Sequence, residues 1–157
     1  MIVLYVLLKE WLTENKFTMN KTKRVYVDGV FDLFHEGHIN LLRTAATYGT
    51  LIVGVHDDKY VESYKRKPVI PQSTRYEVVR ACKYVSEVIE GVELLTDELI
   101  DRHKIDLVIH GDDFSIEDAT KHYTAALNRG IYKTVPYTKE ISSTKVIIEI
   151  EKRFSAT

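Results

Sequence analysis

The chain has 157 residues, 45% hydrophobic and 29% charged, the balance of an ordinary globular protein with room for one domain and a real core. Its 22 Lys and Arg nearly cancel its 23 Asp and Glu, and the formal net charge of -1 provides no field to gather nucleic acid or an acidic membrane. A single cysteine, Cys82, excludes an intramolecular disulfide and fits a reducing, cytoplasmic setting, with the thiol packed in the apolar-periodic stretch from Val78 to Val85.

Met1 to Leu8 is apolar, yet too short to span a bilayer and without the basic flank of a signal peptide. A polar stretch with a second methionine, Met19, follows. Residues 1–22 therefore read as an N-terminal appendage to a domain over residues 23–157, which no repeat or Pro/Gly-rich linker divides. Arg24 to Val27 predicts the first strand, and an amphipathic helix is expected from Gly37 to Tyr48. Thr50 to Val55 is a second, buried strand. Ser73 or Thr74 is a candidate cap for a helix to about Val85, with Glu77 completing a capping box with Thr74. Glu87 to Ile89 is the third strand, a helix starts at Thr96, and Asp106 to Ile109 is the fourth strand. A helix from Asp118 to Asn128 stops at Gly130, a good C-cap. Ile131 to Val135 is the fifth strand, and Ser142 caps a last helix to about Phe154.

Such alternation, with nearly continuous apolar strands, predicts an α/β, Rossmann-like fold: a five-stranded parallel sheet with helices on both faces. Ligands of such sheets bind outside the carboxyl ends of the strands. The polar clusters fall there: Asp28 to His38, His56 to Asp58, His110 to Asp113 and Tyr137 to Thr144. In the first of them, His35-Glu36-Gly37-His38 is an HxGH tetrad between a strand and a helix. Gly37 lets the backbone approach a phosphate, and the helix N-terminus offers free N–H groups and positive potential. His35 and His38, three residues apart, can face one anion and donate to phosphoryl oxygens as charge develops.

Gly29-Val-Phe-Asp-Leu-Phe-His-Glu-Gly-His38 resembles the G-T-F-D-x-x-H-x-G-H signature of the cytidylyltransferase family, whose members join CTP to phosphocholine, phosphoethanolamine or glycerol 3-phosphate. The likeness runs on through Arg75 to Ile89, similar to R-Y-E…C-R-Y-V-D-E-V, through His110-Gly-Asp-Asp113, and into Ile141-Ser-Ser-Thr144, similar to R-T-x-G-I-S-T-T. The resemblance implies an HxGH nucleotidyltransferase fold in which Val30, Phe31, His35, Gly37 and His38 hold CTP, both histidines acting on the transition state. It implies Lys65 as a catalytic lysine between substrate phosphate and CTP, with Asp32 on the substrate side. Lys67, Lys83 and Asp112 (or Asp113) are assigned to the nucleotide, and the hydroxyls and N–H groups of Ser142, Ser143 and Thr144 to its phosphates. Magnesium is expected with the triphosphate, held by phosphate and water, and a homodimer is implied. No metal site of the protein's own is expected.

Three places depart from the family, one of them Glu140, which falls on the Gly of R-T-x-G. Tyr137 stands for the Arg of R-T-x-G, a permanently charged phosphate clamp that Tyr cannot replace, with Lys139 or Lys145 as candidate substitutes. Gly91 to Leu95 carries no Trp, which leaves an aromatic cage for a quaternary ammonium unsupported and favours phosphoethanolamine. Trp11 lies outside the domain. The competing readings are an adenylyltransferase acting on a sugar phosphate, a nucleotide-binding regulator without turnover, and a metal-binding protein using His35, His38, His56 and His110. A class I aminoacyl-tRNA synthetase fragment is set aside for want of a KMSKS-like run.

Overall fold

In the computed structural model the described residues are 22–155, so the reading of residues 1–22 as an appendage, and Trp11 with it, lies outside them apart from Thr22. Five strands, β1 (Arg24–Gly29), β2 (Thr50–His56), β3 (Glu87–Val92), β4 (Leu107–Gly111) and β5 (Tyr132–Val135), pair in parallel in the order β3-β2-β1-β4-β5. The chain winds outward from β1 through β2 to β3, then returns to the other side of β1 for β4 and β5. The order reverses between β1 and β4, and a crevice opens at the carboxyl ends of strands at such a reversal.

Period-two alternation sends neighbouring strand residues to opposite faces. Val25, Val27, Leu51, Val53 and Val55 pack under helices α1 (Glu36–Ala46) and α3 (Gln72–Arg80), through Leu42, Ala45, Tyr76 and Val79. Tyr26, Ile52 and Val108 face α4 (Asp97–His103) and α5 (Ile116–Asn128), through Ile100, Tyr123 and Ala126. Both faces are buried, as the apolar runs predict. Thr96 caps α4, and Ser142 caps α6 (Ser143–Phe154), again as expected.

Three local readings change. The Thr74–Glu77 capping box does not form, because α3 begins earlier, behind Pro71, and the N–H of Gln72 donates to Asp58 Oδ2 at 3.3 Å. The same helix ends at Arg80, since Ala81 to Val85 turns back toward the sheet through Cys82 N–Val79 O and Val85 N–Cys82 O bonds. A short helix, α2 (Asp58–Glu62), stands between the second strand and the helix near Ser73, where the sequence pattern predicts none, and Asp57 caps it by accepting from Tyr60 N. Arg75, 1% exposed, ties these pieces together: it donates to the carbonyls of Val30, Ile70 and His56 and pairs with Asp58 at 2.7 Å.

Candidate active site

A cavity of about 450 Å³ opens over the β1/β4 reversal, and its two ends differ in chemistry. One end is basic and rich in donors. There His35 is the N-cap of α1: its Nδ1 accepts from Gly37 N at 3.1 Å, and His38 Nδ1 accepts from His35 N at 3.3 Å. An accepting Nδ1 carries no proton, so each imidazole presents Nε2–H as a donor. The rings stack 3.9 Å apart. Burial, followed by the charges of His35 and Lys65, outweighs the pull of Asp32 and pushes the His38 imidazole down to about 3; burial also lowers that of His35. Both are neutral donors at physiological pH. A Cβ at Gly37 would stand 2.9 Å from the His35 ring, so any larger residue there displaces that ring.

The loop before the tetrad is strained and tethered. Phe31 (φ 54°) and Leu33 (φ 47°) occupy the left-handed region, at a cost of about 1–2 kcal/mol each. Asp32, 4% exposed, accepts from Val69 N at 3.0 Å and Ile70 N at 2.9 Å and pairs with Arg66 at 3.0 Å. Burial alone would raise its carboxyl, but these bonds and the Arg66 charge hold it below the usual range. Ser143 Oγ donates to the Asp32 carbonyl at 2.7 Å, and Arg75 holds the carbonyl of Val30.

The other end of the cavity is acidic and aromatic. Asp28 lies at its floor, 6% exposed, with Tyr123 Oη–H donating to Oδ1 and Tyr26 Oη–H to Oδ2. Tyr26 reaches it because β2 carries Gly54 opposite, where a Cβ would stand 2.2 Å from the Tyr26 hydroxyl. Burial, then the Asp28 charge, raises the Tyr26 and Tyr123 phenols, so both remain donors. Helix α5 kinks at Tyr123 (φ -126°, ψ 24°), which sends that ring to the floor. A chain of ring contacts passes from His56 through Tyr60, Tyr64, His122 and Phe114 to His110. Glu93 adds a carboxylate to the lining.

The cavity brings together Val30, Phe31, Gly37 and the two tetrad histidines with Lys65, Ser142, Ser143 and Thr144, as the sequence suggests. Four residues stand differently. Lys67 does not line the cavity; it meets Glu62 at 3.5 Å in solvent, because its neighbour Arg66 takes the inward position. Lys83 lies with Lys23, Tyr48 and Tyr84 in a second hollow at the amino ends of β1 to β3, the opposite rim of the sheet. Asp112 is turned away to accept from Tyr137 N at 2.9 Å, and Asp113 lines the cavity in its place. Asp32 reaches the cavity with its carboxylate committed to Val69, Ile70 and Arg66.

Tyr137 also lines the cavity. Neither substitute cation does: Lys145 donates to the Lys139 and Glu140 carbonyls, and Lys139 is absent from the lining. Among the described residues Lys65 and Arg66 are the Lys and Arg side chains of the lining. The missing Trp likewise does not leave the site without rings, since α2 and α5 supply them. Asp28 could have been singled out as an acid at the end of an otherwise apolar strand; the aromatic wall could not, because its members lie on four separate segments. No group of three or more His, Cys, Asp or Glu among the described residues is arranged to hold a metal, and no described helix is long and apolar enough to cross a membrane.

Known proteins resemble this chain in sequence and fold. A cytidylyltransferase-like family model matches residues 26–149. The ethanolamine-phosphate cytidylyltransferase of Dictyostelium discoideum is 41% identical over 133 residues, covering 83% of this chain and 37% of that protein. Choline-phosphate cytidylyltransferase 2 of Arabidopsis thaliana is 38% identical over 142 residues, 84% of this chain and 46% of that one. The chain spans less than half the length of these curated relatives. A crystal structure of a lipopolysaccharide core biosynthesis protein from Thermoplasma volcanium superposes with a TM-score of 0.63 at 27% identity, covering 76% of this chain and 99% of that one.

Proposed function

The chain belongs to the cytidylyltransferase-like family, and from that premise we propose that it transfers a cytidylyl group from CTP to a phosphorylated amino alcohol, phosphoethanolamine first, releasing pyrophosphate. One observation carries the reading: a single cavity with a donor-rich basic end and, across from it, a buried carboxylate walled by aromatic rings. A zwitterion with phosphate at one end and ammonium at the other matches both.

In this reaction a substrate phosphate oxygen bonds to the α-phosphorus of CTP while the bond from that phosphorus to the bridging oxygen breaks, and pyrophosphate leaves with the electron pair. The nucleophile is already an anion, so catalysis is positioning and charge neutralisation. The Nε2–H groups of His35 and His38 donate to phosphoryl oxygens, Lys65 joins the charges of the two reactants, and Arg66 and the capped start of α6 complete the anion site. Magnesium would enter with the triphosphate and would neutralise part of its charge; with Asp32 already held by Val69, Ile70 and Arg66, its ligands would come from phosphate and water. Homodimerisation is proposed from the family resemblance and is read by light scattering.

Tyr137 in place of a phosphate-clamping Arg favours a second reading, nucleotide binding without turnover, and Arg66 in the cavity lining argues against it. A pyrophosphate-release screen decides. CTP with phosphoethanolamine is expected to turn over, ATP or glycerol 3-phosphate poorly, and His38→Ala to abolish release. Preference for ATP, or activity indifferent to His38→Ala, would overturn the proposal; CTP binding without release on any phosphoalcohol would establish the second reading.

A further inference from the structure

Tyr137 stands where the family carries a phosphate-clamping arginine, and its side chain cannot supply the missing charge. Burial, then the charge of Asp113, raises the phenol, so it stays neutral. Its backbone N–H is spent on Asp112 Oδ1 at 2.9 Å, and its ring edge lies against β4, where a Cβ on Gly111 would meet it at 3.3 Å. With Lys139 outside the lining and Lys145 on two carbonyls, the segment between β5 and α6 brings no cation to the cavity.

Arg66 reaches the same anion space from the segment between α2 and α3. Asp32 connects the two: its carbonyl accepts from Ser143 Oγ of α6 at 2.7 Å, and its carboxylate meets Arg66 Nη1 at 3.0 Å. Asn40 of α1 holds Thr138 Oγ1 at 3.2 Å, which pins the lead-in to α6 beside the tetrad helix. Asp32 thus joins Arg66 on one side to the capped start of α6 on the other.

Two features fit the Arg66 guanidinium to an anion. Nη1 makes both of its contacts, to Asp32 and to the Lys67 carbonyl at 3.0 Å, so the Nε and Nη2 edge of the fork is left to donate two parallel bonds to a phosphate. That edge is also held in place. Asp32 is 4% exposed and accepts from Val69 N and Ile70 N, a few residues along the same segment, so Nη1 is anchored on a buried acceptor fixed by its own loop. A fork oriented before the ligand arrives loses little freedom when it binds.

Building on the functional reading above, we propose that Arg66 is the phosphate clamp of this chain, replacing from the segment after α2 the arginine absent at Tyr137, with Asp32 as the positioning residue that aims it. Its neighbour across Asp32 is the α6 terminus, so its target is the triphosphate of CTP and not the phosphate of the amino alcohol. A lost bond between a guanidinium and a phosphate costs about ten- to a hundredfold in affinity.

The test uses the full-length chain and reads CTP affinity by calorimetry beside pyrophosphate release with phosphoethanolamine. Arg66→Gln should weaken CTP binding by about ten- to a hundredfold while the KM for phosphoethanolamine and the urea midpoint change little. Arg66→Lys, a point charge without the fork, should recover part of the affinity. Tyr137→Arg should restore CTP affinity to Arg66→Gln by far more than it raises that of the wild type, because the two positions serve one role. Unchanged CTP affinity in Arg66→Gln, or the same gain from Tyr137→Arg in both backgrounds, overturns the inference and leaves cytidylyl transfer standing. So does an equal loss for CTP and phosphoethanolamine with a lowered urea midpoint, since that marks a structural role. Wild-type protein that binds CTP but releases pyrophosphate with no phosphoalcohol overturns the functional reading, and weaker CTP binding by Arg66→Gln would still uphold the clamp.

Discussion

Replacing Gly37 with Ala separates the geometry of the tetrad from its stability. Gly37 sits in the first turn of α1 with ordinary helical geometry, so the methyl group brings a propensity gain of at most about 1 kcal/mol. The same methyl would stand 2.9 Å from His35 Cε1 and 3.0 Å from Nδ1, closer than real contacts allow, and the ring must give way. Displacing it breaks the Gly37 N–His35 Nδ1 cap, a loss of about 1 kcal/mol. The two effects nearly cancel, so urea unfolding should move by less than about 1 kcal/mol. Turnover should not survive so well, since a donor misplaced by about 1 Å costs on the order of a hundredfold. Pyrophosphate release at saturating CTP measures this directly. Unchanged stability with full turnover would refute the claim that the capped position of His35 is the working one.

Arg75→Met leaves Asp58 without its partner and three carbonyls without a donor, and should lower unfolding stability by about 3–5 kcal/mol, a large share of a typical 5–15; a loss under about 1 kcal/mol contradicts the clamp. His38 should show no imidazole titration by NMR between pH 8 and pH 5 in the free protein. Its folded value, about 3, lies below the unfolded one, so the unfolded chain takes up the proton first and stability falls as pH drops from about 6.5 toward 3. A His38 midpoint near 6.5 would disprove this. Lys65→Ala should cut turnover by about 10²–10³, whereas Lys67→Ala, which breaks only a solvated 3.5 Å pair with Glu62, should change stability by less than about 0.5 kcal/mol and leave turnover intact.

The sheet was readable because both of its faces are buried: Val25 to Val27 and Leu51 to Val55 are apolar on every residue, which few other contexts tolerate. Thr96 and Ser142 were readable because their caps are local, each side chain reaching a backbone N–H three residues on. The start of α3 was not, since its first N–H is satisfied by Asp58, fourteen residues away, and no local pattern announces that. The same distinction governs the site. His35 and His38 act through a contiguous tetrad, while the split between Lys65 and Lys67, or between Asp112 and Asp113, turns on which way one side chain points. The acidic, aromatic end escaped notice because its carboxylates and rings come from different strands and helices.

The bond from Ser143 Oγ to the Asp32 carbonyl joins residues 111 apart. On a ribosome adding about 5–20 residues per second, Ser143 emerges roughly 6–20 s after the tetrad loop it must hold. During that interval the sheet can already begin to pair through β1, β2 and β3, yet the loop that leads into the HxGH tetrad lacks its tether to α6. The phosphate end of the site thus stays without this tether until Ser143 has emerged, and a chain cut short before Ser143 would carry the whole HxGH tetrad without α6 to hold the loop before it.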